Sequence, residues 1–102
     1  MRKASKIADV LKKVKECIDT DRYYDTYHAT QRKRERSVSL VDVLYVLKNG
    51  RHEKAKDQYK LEHENWTYSI CGKTVDGDDL RIEIAFDEEG MLIITVIRLK
   101  KG

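Results

Sequence analysis

Proline is absent from this chain, cysteine occurs twice and glycine five times in 102 residues. With no low-complexity tract, and with 38% charged against 40% hydrophobic residues, the composition excludes a disordered linker and reads as a globular domain. Long apolar runs are missing as well. No segment approaches the roughly 20 residues that cross a bilayer, and no apolar stretch follows the basic start as in a signal peptide, so a cytoplasmic location is expected. Cys17 and Cys71 stand apart without C-x-x-C spacing, which argues against a disulfide framework or a zinc site; both read as small buried apolar groups. The acidic run Asp76, Asp78, Asp79 lacks the EF-hand pattern, and no phosphate-cradling glycine loop or G-x-S-x-G elbow occurs. No metal or other cofactor is expected.

What is present is charge, unevenly placed. Residues 1–60 hold 16 Lys/Arg against 9 Asp/Glu, a net +7, whereas residues 61–102 hold 5 against 9, a net −4. A basic half suits an anionic partner, RNA or an acidic protein surface. The length allows one domain, 1–102, with a single modest core.

Periodicity predicts three helices followed by four strands, an α+β fold with N-terminal helices on one face of a four-stranded antiparallel sheet. Ile7, Val10, Leu11, Val14 and Ile18 mark an amphipathic helix over Ser5 to Thr20, taken as an accessory element. Asp21 to Thr26 breaks the pattern, and a short basic helix begins near His28. Ser39 and Asp42 resemble a capping box ahead of a helix that buries Leu40, Val43, Leu44 and Leu47 and closes at Asn49-Gly50. The period then changes to two, over His52–Leu61, Trp66–Thr74, Leu80–Phe86 and Met91–Leu99, with turns at Asp76-Gly77 and Glu89-Gly90. The last strand is apolar on both faces except at Thr95 and Arg98, which must point to opposite sides. The face without helices is the expected working surface.

In the basic helix His28, Arg32 and Arg36 follow at successive i, i+4 positions and share one stripe. Ala29 is the only apolar residue between them, so burial of its own side chains does not explain the helix. Guanidinium forks match phosphate oxygens and imidazole titrates near neutrality, so the stripe suits a phosphate and a proton transfer. Lys54, Lys56 and Tyr59 on the first strand, and Arg98 on the last, are candidate substrate-binding residues, and Thr95 could hydrogen-bond a phosphate. His52 and His63 compete with His28 as acid or base, each read as a solvated imidazole at an exposed or turn position. Trp66 and Tyr68 could stack on bases, but alternating strand aromatics generally fill a core.

The pattern His28-Ala29-x-x-Arg32-x-x-x-Arg36, the helix Leu40–Leu47 with Gly50, the stretch Gly77–Leu80 and Ile94-Thr95-Val96 together resemble a bacterial family of small proteins of uncharacterised function. The match runs over about residues 27–98. That family is similar to the BrnT, MqsR and RelE/ParE toxins of toxin–antitoxin pairs. The resemblance implies a RelE/MqsR-like fold and an endoribonuclease toxin that cleaves RNA without metal, with His28, Arg32, Arg36 and Thr95 as catalytic residues. It also implies a cognate antitoxin as partner, in some relatives a zinc-finger protein. A tyrosine near the C-terminus, which RelE-like enzymes often use, is missing. A non-catalytic module that docks RNA or an acidic protein on the same stripe is the alternative, and a purely structural stripe paired to carboxylates is a third.

Overall fold

Asp9 starts the first helix, α1 (Val10–Asp19), because its carboxylate accepts the Lys12 backbone N–H at 3.1 Å and satisfies a donor the helix leaves orphaned. The computed structural model describes residues 5–100, apart from the side chains of Tyr27, His28 and Lys100. The helix thus begins later than Ser5. Ile7 still packs on the core from outside it, its N–H donating to the Tyr68 hydroxyl at 2.9 Å.

The break at Asp21–Thr26 holds a strand, β1 (Tyr23–Asp25), and the basic helix α2 (Tyr27–Glu35) follows it. Thr26 caps α2 by accepting the Ala29 N–H at 3.1 Å and anchors it to the sheet by donating to the Ile93 carbonyl at 3.0 Å. The inward side chains are Ala29, wholly buried, and Lys33, 8% exposed, whose ammonium pairs with Asp25 of β1. A cap and a shielded ion pair therefore hold a helix that has almost no apolar stripe. The third helix, α3 (Leu40–Asn49), carries the full capping box: the Ser39 hydroxyl accepts the Asp42 N–H and the Asp42 carboxylate accepts the Ser39 N–H, both at 3.1 Å.

The sheet departs from the expected four antiparallel strands. Its members are β1, β2 (Arg51–His52), β3 (Gln58–Lys60), β4 (Asn65–Lys73), β5 (Asp79–Asp87) and β6 (Gly90–Lys100), ordered β1-β6-β5-β4-β2 with β3 also on β4. The sheet is mixed, since β1 lies parallel to β6 with Tyr23 opposite Met91. The single strand expected over His52–Leu61 is split by a 3-10 turn at Lys54–Lys56. The cause is Asp57. Where the ladder is interrupted, Ser69 donates its N–H to the Asp57 carboxylate at 3.1 Å and accepts the Glu53 N–H at 2.8 Å, so both of its backbone groups stay satisfied.

Alternation along β4, β5 and β6 sends Tyr68, Ile70, Ile82, Ile84 and Val96 into one core with Val10, Val14, Val43, Val46 and Leu47 of α1 and α3. Thr67, Ser69, Cys71, Arg81, Glu83, Ala85 and Thr95 take the other face, which the 3-10 turn covers near Ser69 and Cys71 and over which, among the described residues, no α-helix packs its buried side chains. Among the described residues no helix is long and apolar enough to cross a membrane.

Candidate functional site

On the helix-free face, a slip in strand register puts Glu83 and Thr95 side by side. Glu83 is opposite Thr95 while its neighbour Ile84 is opposite Ile93, so Ile94 is an extra residue in β6. Such a bulge re-aims the flanking side chains. Ile94 and Thr95 both turn into one cavity of about 310 Å³, also lined by Lys60, Glu62, His63, Thr67 and Glu83. A second cavity of about 420 Å³ adjoins it through His63, Thr67 and Ile94 and is floored by Ala85 and Leu92. The oily outer residues of β6 thus line a hollow rather than meet a covering layer. Thr26, the cap of α2, stands at its rim.

Glu83, His63 and Thr95 make no side-chain hydrogen bond or ion pair with any described residue. Nearby charges are already engaged: Arg81 holds Glu53 at 3.3 Å, and Lys60 donates to the Gln58 side chain at 2.7 Å. A hollow of about 520 Å³ between the end of α1 and the β5–β6 turn offers less chemistry. There Arg22 is spent on the Glu88 and Glu89 carbonyls at 3.1 Å, and Asp87 accepts the Tyr24 hydroxyl at 2.9 Å.

Of the residues expected to be catalytic or substrate-binding, Thr95 alone lines the paired cavities; His63 lines both and Trp66 one, although the sequence favoured a solvated imidazole and a core aromatic for them. Arg32 and Arg36 lie at the far end of α2, where both meet Glu35: the Arg32 Nη1 is 3.0 Å and the Arg36 Nη1 3.8 Å from its Oε2. The repulsion along the stripe is relieved by a neighbouring carboxylate. His28 belongs to the first turn of α2, two residues from the rim at Thr26, and its side chain lies outside the described residues. Lys54 and Lys56 occupy the 3-10 turn rather than a strand and are exposed. Tyr59 stacks edge-on against Trp66, centroids 5.8 Å apart. Arg98 pairs with Asp78 at 3.4 Å. Tyr68 is a core residue, and Trp66 packs on the core margin.

His52 is not the solvated imidazole its sequence position suggested. Its side chain is only 8% exposed, and Nε2 lies 2.7 and 2.9 Å from the two oxygens of a completely buried Asp57. Cys71 is buried as expected but is not merely apolar, since its thiol donates to Glu53. Burial and that carboxylate push the Cys71 thiol up. The same thiol, followed by the Arg81 guanidinium, holds the Glu53 carboxyl below its ordinary range. Partial desolvation acts upward on Asp87, but the Tyr24 hydroxyl and the Glu89 and Gly90 N–H groups outweigh it and hold that carboxyl down too.

A folded-state value below the unfolded one adds stability that is present above the unfolded carboxylate value, about 4, and disappears as pH falls through the folded value. Urea unfolding midpoints are therefore expected to drop as pH falls below about 4, with a shallower drop in Glu53→Gln. Equal slopes in the two proteins would remove this account of Glu53. Among the described residues no three His, Cys, Asp or Glu side chains are grouped to share a metal ion.

A family model described as a domain of unknown function, DUF4258, matches residues 26–98. No curated protein and no solved structure matches the chain.

Proposed function

Starting from the fact that the chain belongs to the DUF4258 family, we propose that it is a toxin-type endoribonuclease of RelE/MqsR-like fold that cleaves RNA without a metal ion. The observation that carries this reading is the cavity on the helix-free face, where a bulge presents Thr95 beside a carboxylate and an imidazole that no described residue engages. Metal-free cleavage needs a base for the ribose 2′-hydroxyl, an acid for the departing 5′-oxygen and donors for the charge that gathers on phosphorus. Thr95 is a donor to the phosphate. Arg32 and Arg36 extend a cationic track along α2 for the RNA backbone, exchanging Glu35 for phosphate, and Lys54, Lys56, Tyr59 and Arg98 are outlying contacts. His28, which the resemblance assigns to proton transfer, stands near the rim. By the same resemblance a cognate antitoxin is the partner, and the setting is the cytoplasm.

Purified protein is expected to cleave a single-stranded RNA oligonucleotide in excess EDTA, leaving 2′,3′-cyclic phosphate ends. The Arg32→Ala/Arg36→Ala variant is expected to lose about 10-fold or more in kcat/KM, mainly through KM and most at low salt, as loss of backbone phosphate contacts does, while its thermal midpoint stays within a few degrees. No cleavage by the folded wild-type protein ends the reading. Undiminished activity of the double variant removes the two arginines from it. Salt-dependent RNA binding without cleavage would favour the alternative, a module that docks RNA or an acidic protein.

A further inference from the structure

Glu83 sits where a carboxylate ordinarily needs a partner. It lies near the middle of β5, with Ser69 of β4 on one side and Thr95 of β6 on the other, on a partly shielded sheet face. Carboxylates drawn from water into a sheet are normally paired, because desolvation of the charge is otherwise uncompensated. Arg81, the nearest cation along the strand on that face, is committed to Glu53, and of the other charged groups lining the cavity, Lys60 and Glu62, the lysine donates to the Gln58 side chain. Across the cavity, His63 projects from the β3–β4 turn, which Glu64 tightens with a left-handed φ of 50°. Its imidazole is likewise engaged by no described residue. The two groups share a cavity of about 310 Å³, enough for a phosphodiester and part of its riboses, with Thr95 also lining it and the apolar hollow beside them for a base.

From this juxtaposition we infer that Glu83 and His63 are the acid–base pair of the cavity. The inference rests on the RNA-cleavage reading and deepens it by assigning both proton transfers to residues outside the α2 stripe. Glu83 takes the proton of the ribose 2′-hydroxyl as its oxygen attacks phosphorus. The bond from phosphorus to the 5′-oxygen breaks, and the His63 imidazolium gives its Nε2 or Nδ1 proton to that oxygen. The products are a 2′,3′-cyclic phosphate and a free 5′-hydroxyl. Glu83 ends protonated and His63 neutral, and exchange with water resets both. No oxidant, metal or co-substrate enters the balance. His28 then serves phosphate binding rather than proton transfer.

The test is the pH dependence of kcat/KM on a single-stranded RNA oligonucleotide. Wild type should give a bell, because the base must be ionised and the acid protonated. Glu83→Gln, nearly isosteric, should lose about 100-fold or more in kcat with KM changed only a few-fold, and should lose the acid limb. His63→Gln should lose the alkaline limb, while His28→Gln keeps both limbs. Glu88→Gln, in the remote β5–β6 turn, should match wild type. A wild-type rate and unchanged bell in Glu83→Gln overturns the pair and leaves the RNA-cleavage reading standing, whereas an inactive wild-type protein overturns both before any variant is made. Loss of the alkaline limb in His28→Gln overturns the assignment of His63. A measurement on the unaltered protein guards against variants that misfold: uridine 3′-monophosphate should shift the His63 ring resonances and leave those of buried His52 in place. The reverse pattern, or no shift at His63, counts against the pair.

Discussion

Asp57→Ala lowers the unfolding free energy by about 3 kcal/mol or more, because two buried donors lose their acceptor at about 1 to 3 kcal/mol each. The carboxylate has no solvent exposure and serves three partners at once: His52 Nε2 at 2.7 Å, Lys6 Nζ at 3.1 Å and the Ser69 N–H at 3.1 Å. Alanine leaves the last of these without an acceptor at a point where the strand ladder has already been interrupted, and leaves a buried imidazole donor without a partner. The loss reaches further than one bond, because Asp57 joins the 3-10 turn to β4 and fixes where β3 resumes pairing. In a domain of this size each kcal/mol moves Tm by about 4 to 8 °C, so calorimetry should record a fall on the order of 15 °C or more. Asp57→Asn keeps an acceptor for Ser69 and is expected to lose less. A change below about 1 kcal/mol in Asp57→Ala would show that the cluster is incidental to the fold.

Gly90→Ala is the second large effect, expected to cost about 3 kcal/mol or more and to act on the pairing of β1 with β6. Gly90 holds φ at 145°, a conformation that costs an L residue about 1 to 3 kcal/mol. The space is closed as well. A Cβ there would come within 2.2 Å of the Arg22 carbonyl oxygen, the acceptor for the Met91 N–H at 2.9 Å that opens the β1–β6 pairing. Backbone cannot swing aside as a lysine tip can, so β1 must shift, carrying Asp25 away from Lys33 and loosening α2. Hydrogen exchange should show early opening at Met91–Ile93 and in α2, with β4 and β5 still protected. Uniform destabilisation without that local opening would contradict the coupling.

The two substitutions test features that differ in how readily they could be read from residues. Glu89-Gly90 was visible as a turn, because glycine beside a polar residue between two alternating runs is a local signal. What Gly90 faces was not, because Arg22 is distant in sequence and β1 is too short to show a period. Asp57 gave no local signal at all. It interrupts a weakly alternating, lysine-rich run, and only the position of Ser69 on β4 shows why the strand breaks there.

The candidate site divides in the same way. The helix-free face was expected to be the working surface, and strand alternation required one of Thr95 and Arg98 to project from it without saying which. Glu83 could be placed on that face by its alternation with Ile82 and Ile84, yet its lack of a partner among the described residues is a property of three strands together. The bulge at Ile94 depends on register, which the sequence of β6 does not encode by itself. The α2 stripe shows the opposite outcome. His28, Arg32 and Arg36 were conspicuous as a spacing, but Glu35, in the same short segment, is the residue the two arginines meet.

By itself the sequence determined what local energetics can decide: three helices, the capping box of α3, the hairpin turns, the α+β order and the buried alternation of β4 to β6. These depend on contacts between residues close in the chain, where period and turn chemistry have few competing solutions. Tertiary structure alone decided the parallel strand, the buried His52–Asp57 pair and the meeting of Glu83, His63 and Thr95 at one cavity. Each requires segments far apart in sequence to arrive in a particular register, and register is a collective choice of the packed sheet.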